Sequence, residues 1–319
     1  MWKWRFSRGI LDLGTNRSLP LHGLENHVFP AQFDYQRARS IDEALSALAT
    51  HGDDARILAG GQSLIPAMRF RLARPALLID INPIGDLDYL RESDGFLRIG
   101  ACARDFALEV APFVSSTYTL IADLSAVVAD PVVRQSGTVV GSLCHNDPSG
   151  DWPVAALASR AELTVRSKKG DRVVPIDQFI VDSYTTAVQE GEMAIEVRFP
   201  TPGARTSGAY FKIERKVGDF ATACAGAQLT LGADGTITNA GVAIGAMGAT
   251  ALRVVEAEKL LVGQKPSKAL IETAKREAEK LADPSPDNRG SVEYKKAMAG
   301  VLVGRSLVRA LDRLGVKVA

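Results

Sequence analysis

Ile57-Leu58-Ala59-Gly60-Gly61-Gln62-Ser63-Leu64-Ile65-Pro66 is the stretch on which the reading of this chain turns. The apolar run Arg56-Ile57-Leu58 reads as a short strand. It breaks at two glycines and resumes as an apolar, helix-like segment through Met68 and Phe70. A Gly-Gly turn between strand and helix permits backbone angles that other residues resist. It also leaves bare N–H groups converging on one spot, next to the positive end of the helix dipole. Such a turn suits a phosphate. Gly-Gly before a helix is more often a plain tight turn.

A second stretch of similar character strengthens the phosphate reading. Gly137-Thr138-Val139-Val140-Gly141-Ser142-Leu143-Cys144-His145-Asn146-Asp147-Pro148-Ser149-Gly150-Asp151 is a small, polar loop between apolar segments. Two cradles suggest a ligand with two phosphates. The pair Ala59-Gly60-Gly61-Gln62-Ser63-Leu64 and Thr138-Val139-Val140-Gly141-Ser142, followed by Asp147-Pro148 and Asp151, resembles the FAD-binding medium subunit of molybdenum hydroxylases. It looks most like the medium subunits of aerobic carbon monoxide dehydrogenase and their xanthine-dehydrogenase-like relatives. The resemblance runs from about Phe29 to the C-terminus.

The resemblance implies an α+β chain. A vanillyl-alcohol-oxidase-like (PCMH-type) FAD domain of two α/β subdomains occupies 28–202, and an antiparallel sheet covered by helices occupies 203–319. It implies that Ala59, Gly60, Gly61, Gln62 and Ser63, with Thr138, Val139, Val140, Gly141 and Ser142, hold the FAD pyrophosphate. Hydroxyls of Ser63, Thr138 and Ser142 can add donors. Asp151 matches an aspartate on the polyol side of the flavin, and it equally suits the N-cap of a helix starting at Trp152. Lys212 falls near the flavin ring, where a cation would stabilise the reduced, anionic form; a solvated strand lysine is the alternative. Ala194 aligns with a backbone contact to the adenine end. The family usually has two glycines where this chain has Val140-Gly141. If Val140 needs φ > 0, strain of roughly 1–2 kcal/mol follows, and Val140→Gly is expected to tighten flavin binding.

Composition sets the frame. The 319 residues are enough for two domains with cores. Hydrophobic content of 46%, charged content of 24% and a net charge of +1 describe an ordinary soluble globular chain without a basic nucleic-acid surface or a polybasic membrane anchor. No apolar run reaches the length of a transmembrane helix. The cysteines Cys102, Cys144 and Cys224 are scattered, and His22, His27, His51 and His145 lack ligand spacing. Neither an iron–sulfur cluster nor a zinc site is therefore encoded. Cysteine usage fits a reducing cytoplasm, and the resemblance allows a place at the inner face of the membrane. Gly245-Ala246-Met247-Gly248-Ala249 lacks the full dinucleotide fingerprint and reads as a strand-to-helix turn.

Along the chain, residues 1–27 differ from the rest and read as an extension outside the fold, with native translation beginning at position 28. Ser40-Ile41-Asp42-Glu43 is a capping box opening a helix. Leu77-Leu78-Ile79-Asp80-Ile81 and Phe96-Leu97-Arg98-Ile99-Gly100 read as strands. Residues 103–110 and 117–129 read as helices, the second stopped by Asp130-Pro131. A Pro-primed helix opens at Trp152, a hairpin spans 163–176, and a strand spans 193–199. Past the Pro200-Thr201-Pro202-Gly203 linker come strands 208–217, 221–231 and 236–245, then helices 250–262, 268–282 and 291–314. In the last helix Tyr294, Met298, Val301, Leu302, Val308 and Leu311 are the expected core stripe.

The expected role is that of the electron-exit subunit in a complex, which the resemblance pictures as a dimer of heterotrimers. Molybdopterin sits on a large subunit, [2Fe–2S] clusters sit on a small one, and FAD passes electrons to quinone, oxygen or NAD. Two rivals stay open. One is a stand-alone flavin oxidase, with covalent attachment through His145 or Cys144. The other is a subunit that has lost its flavin.

Overall fold

A computed structural model describes residues 29–318; the expected extension over 1–27 lies outside them. The chain runs β1 (Asp34–Arg37), α1 (Ile41–His51), β2 (Ala55–Leu58), α2 (Leu64–Arg69) and β3 (Leu77–Asp80). These form a three-stranded parallel sheet in the order β1-β3-β2. The central strand β3 is buried at all four positions, which is why it reads as a continuous apolar run. Helix α1 opens at the expected Ser40 cap, which accepts from the Glu43 N–H at 3.1 Å; Glu43 reaches back one residue beyond the expected box and accepts from the Arg39 N–H at 2.8 Å.

The second unit contains β4 (Leu90–Ser93), β5 (Phe96–Gly100), α3 (Asp105–Val110), α4 (Pro112–Thr117), α5 (Thr119–Ser125), α6 (Pro131–Arg134), α7 (Val139–His145) and α8 (Trp152–Ser159). It continues with β6 (Glu162–Ser167), β7 (Gly170–Pro175), α9 (Ile176–Phe179), β8 (Ile180–Asp182), β9 (Thr185–Thr186) and β10 (Met193–Pro200). Its antiparallel sheet has the order β4-β5-β10-β6-β7, so the last strand enters between the two hairpins. Two expectations change here. Asp130-Pro131 starts a helix instead of stopping one: Asp130 accepts from the Val133 N–H at 2.8 Å, and Pro131 takes the first turn. Part of the stretch read as a second loop, Val139–His145, is helix α7, with Thr138 as its N-cap; the rest stays loop.

The third unit has β11 (Thr206–Ile213), β12 (Ala223–Leu231), β13 (Ile237–Gly245) and β14 (Leu252–Arg253), then α10 (Val255–Leu261), α11 (Lys268–Leu281) and α12 (Val292–Arg313). Its strands pair antiparallel in sequence order. Alternation along β12 explains the layering. Ala223, Ala225, Ala227, Leu229 and Leu231 face the C-terminal helices. Cys224 joins the other core, and Gly226 lies against Leu120 and Val154. The sheet is thus covered on one face by its own helices and on the other by α5 and α8. Helix α8 is buried at every position, matching its nearly all-apolar composition.

The expected stripe on α12 is only partly core. Leu302 and Leu311 are buried, whereas Tyr294 and Val308 are exposed. The buried face runs through Ala299, Leu302, Val303, Ser306, Leu307 and Ala310. Small residues at that spacing let the helix lie close to β12; Ser306 donates to the Ala225 carbonyl at 3.1 Å.

Candidate functional site

Between the parallel unit and the five-stranded unit lies a cavity of about 420 Å³. The first loop forms one wall. Gly61 has φ of +71°, the left-handed conformation that favours glycine. The N–H groups of Gly61, Gln62 and Ser63 find no acceptor among the described residues, and the Ser63 hydroxyl does not cap α2.

Gly60 matters for a different reason. A Cβ there would run into the Ser136 carbonyl, with the Gly137 Cα at 2.9 Å. Only glycine lets the first loop touch the peptide that leads into the second. Thr138 then accepts from the Gly141 N–H at 3.1 Å, leaving its own hydroxyl hydrogen to donate. A Cβ on Gly141 would stand 2.6 Å from that hydroxyl oxygen. The two glycine-bearing segments, about 80 residues apart in the chain, therefore meet side by side on the same wall.

Most of the residues singled out from the sequence line this cavity: Ala59, Gly60, Gly61, Gln62, Ser63, Thr138, Val140, Gly141, Ser142, Asp151 and Ala194. Two do not. Val139 is fully buried behind the wall. Lys212 lies behind Asp151, its side chain 2% exposed, which also excludes the solvated lysine. Its ammonium reaches Asp151 Oδ2 at 3.2 Å, Glu214 at 3.2 Å and the Val127 carbonyl at 2.8 Å.

Two further expectations are corrected. Asp151 makes no capping bond to α8; its carboxylate instead takes the Tyr210 hydroxyl at 2.5 Å and the Lys212 ammonium. Burial raises its pKa, against the opposing pull of Lys212. Val140 sits in the first turn of α7, without positive φ and 2% exposed, so it carries no left-handed strain.

At the far end of α7, Cys144 and His145 also line the cavity. Burial pushes the Cys144 thiol up to about 12 and lowers the His145 imidazole, with Asp147 3.7 Å away pulling the other way. His145 rests against the Tyr184 ring, with centroids 5.1 Å apart. Neither group is set up as a nucleophile: the thiol stays protonated, which removes its reactive form.

Sequence reading missed several lining residues. Asp105 and Arg56 line the cavity, as do the segment 188–193 and the tip 218–220 of the β11–β12 connection. Nothing in their spacing marks them: Arg56 comes in with the strand before the first loop, and the others reach the cavity through tertiary packing.

The cavity's chemistry fits FAD. Unpaired N–H groups and hydroxyls converge where the two glycine-bearing segments touch, and apolar side chains such as Ile57, Leu58 and Val188 line the remainder. Among the described residues no group of three or more His, Cys, Asp or Glu is placed to hold a metal, and no helix is long and apolar enough to cross a membrane.

Residues 31–202 match the family described as the FAD binding domain in molybdopterin dehydrogenase, and residues 208–310 match the CO dehydrogenase flavoprotein C-terminal domain. The chain is 37% identical to the carbon monoxide dehydrogenase medium chain of Afipia carboxidovorans over 90% of this chain and 99% of that one. It is 36% identical to the 6-hydroxypseudooxynicotine dehydrogenase complex subunit alpha of Paenarthrobacter nicotinovorans, over 89% and 96%. The fold superimposes on carbon monoxide dehydrogenase from Hydrogenophaga pseudoflava with a TM-score of 0.87 and 38% identity, covering 89% of this chain and 99% of that one. This chain belongs to the FAD-binding medium subunits of the molybdenum hydroxylase family and is an oxidoreductase subunit.

Proposed function

We propose that this chain is the electron-exit subunit of a molybdenum hydroxylase of the carbon monoxide dehydrogenase type. The observation that carries the reading is the meeting of the two glycine-bearing segments on one cavity wall. In this arrangement backbone N–H groups of residues 60–63 and the Thr138 and Ser142 hydroxyls hold the FAD pyrophosphate. Asp151, steadied by Tyr210 and Lys212, binds further along the cavity. Ala194 lies on the adenine side. Lys212 acts through Asp151 and the field at the site, without touching the cofactor.

FAD, when bound, supplies the redox chemistry, taking electrons from partner [2Fe–2S] clusters and delivering them to quinone, oxygen or NAD. The protein's part is to hold the cofactor, orient it and exclude water along the apolar wall. No side chain is required as a general acid or base. The partners are a molybdopterin-binding large subunit and a [2Fe–2S] small subunit, in a cytoplasmic dimer of heterotrimers. The substrate is set by the large subunit. Relatives at 36% and 37% identity carry names with different substrates, 6-hydroxypseudooxynicotine and carbon monoxide, so this chain's identity to them does not choose between the two.

The test is purification of the protein with whatever accompanies it, followed by acid release of cofactor and a metal assay. Acid-released FAD together with molybdenum and iron supports the reading. FAD on this chain alone, without metals, replaces it with a stand-alone flavoenzyme. Flavin that stays with the acid precipitate would show covalent attachment, against the state of Cys144 and His145 described above.

A further inference from the structure

Asp105 is the first residue of α3, is 3% exposed and lines the cavity. Its position is fixed from two sides. Its backbone N–H donates to the Gly137 carbonyl at 2.9 Å, and its Oδ1 accepts the Trp152 indole N–H at 3.0 Å. Its Oδ2 has no donor among the described residues. That oxygen lies 2.6 Å from where a Cβ on Gly137 would be. It therefore borders the peptide that Gly60 also touches, at the junction of the two loops.

The charged groups around it are already committed. On α6, Arg134 is forked onto Glu109 at 2.8 and 3.2 Å and bonds the Val128 carbonyl. Arg104 bonds the Ser136 carbonyl and Asn82. On α5, Asp123 is paired with Arg313. Asp151 is held by Tyr210 and Lys212, and it repels a second negative charge nearby. An ionised Asp105 would face a phosphate from a buried position with no cation in hydrogen-bond contact.

We propose that Asp105 is a cofactor-binding residue, donating a hydrogen bond from its carboxylic O–H to a pyrophosphate oxygen of FAD, so that the cofactor binds together with a proton. The inference rests on the FAD reading above and adds a residue and a proton to it. An O–H donor to an anionic oxygen is a strong, charge-assisted bond, whereas a carboxylate in the same place would repel the ligand. Burial pushes this carboxyl up to about 7 and outweighs the Trp152 bond, while Asp151 adds to the rise and Arg134 and Arg104 oppose it. The group is therefore protonated in the flavin-free chain below that pH, and binding an anion holds the proton more tightly still.

The experiment measures FAD affinity of the deflavinated full chain from about pH 5.5 to about pH 8.5, for the wild type and for Asp105→Asn. Asparagine keeps the acceptor for Trp152 and offers an N–H donor at every pH. Wild-type affinity is expected to be level at low pH and to fall about tenfold per pH unit above about 7, while Asp105→Asn stays level. Competition by ADP, which carries the phosphates without the flavin ring, is expected to show the wild-type slope. A level wild-type profile, the same slope in Asp105→Asn, or level ADP competition would each overturn the proposal. If Asp105→Asn fails to fold, the wild-type and ADP slopes decide. Absence of FAD binding at every pH in both proteins would remove the FAD reading itself, a result distinct from level binding.

Discussion

The hydroxyl of Tyr210 donates to Oδ1 of Asp151 at 2.5 Å, across the boundary between the C-terminal sheet and the cavity. Lys212, two residues on along β11 and on the same face, reaches the other oxygen at 3.2 Å. One strand of the third unit thus supplies both a neutral and a charged donor to one buried carboxylate.

These two donors are not equivalent. Tyr210→Phe leaves Asp151 its cation and is expected to cost about 1–3 kcal/mol. Lys212→Met strands the buried Asp151 and leaves the half-buried Glu214 without its cation, and is expected to cost about 3–5 kcal/mol. Denaturant unfolding of the flavin-loaded proteins checks the order. Equal losses would mean that the ammonium contributes no more than the phenol.

Gly60→Ala tests the contact between the two loops. The added methyl meets the Ser136 carbonyl, a backbone atom that cannot swing aside. Overpacking of about 1–3 kcal/mol is expected to appear as FAD binding weakened about tenfold or more. Gly95→Ala is a useful comparison for backbone strain, because Gly95 has φ of +77° and open space around its Cβ position. It is expected to lose stability while keeping FAD affinity.

Val140→Gly is expected to do the opposite of what the family pattern suggests. With Val140 buried and helical, the change removes a packed side chain and loosens the first turn of α7. A loss of about 2–3 kcal/mol in stability follows, without tighter flavin binding. A flavin titration alongside a urea melt checks both halves.

Asp105 also makes stability depend on pH before any ligand is present. Its carboxyl titrates at about 7 in the fold, against an ordinary aspartate value of 3.8 once the chain unfolds. Between those values the folded chain holds a proton that the unfolded chain has released, so stability falls as pH rises through that window. The full difference corresponds to roughly 4 kcal/mol. Asp105→Asn should therefore melt higher than the wild type at about pH 8, and the gain should shrink towards about pH 4. A constant offset between the two melting curves would contradict this.

What can be read from the sequence follows from local chemistry. The helix start at Ser40 and the buried run of β3 are each written in a few adjacent residues. The strand-turn-helix around Gly60 is too, and the structure shows all three. The short strands β1, β4, β8, β9 and β14 are not legible, because two to four residues lacking the continuous apolar run of β3 give no pattern to count. The stripe on α12 misleads for a related reason: large apolar residues draw the eye past the alanines, yet the small residues mark the face that lies against the sheet. Lys212 shows the limit for the site. Strand alternation gives its face, but not that Asp151, 61 residues earlier, stands between it and the cavity.

Gly60 belongs to the parallel unit, and Gly137 and Thr138 belong to the five-stranded one. A ligand gripped by both works as a rivet. By reciprocity, whatever free energy the closed junction lends to the ligand, the ligand returns to the junction. A ligand that contacts both segments would therefore raise the stability of the junction as well as its own affinity.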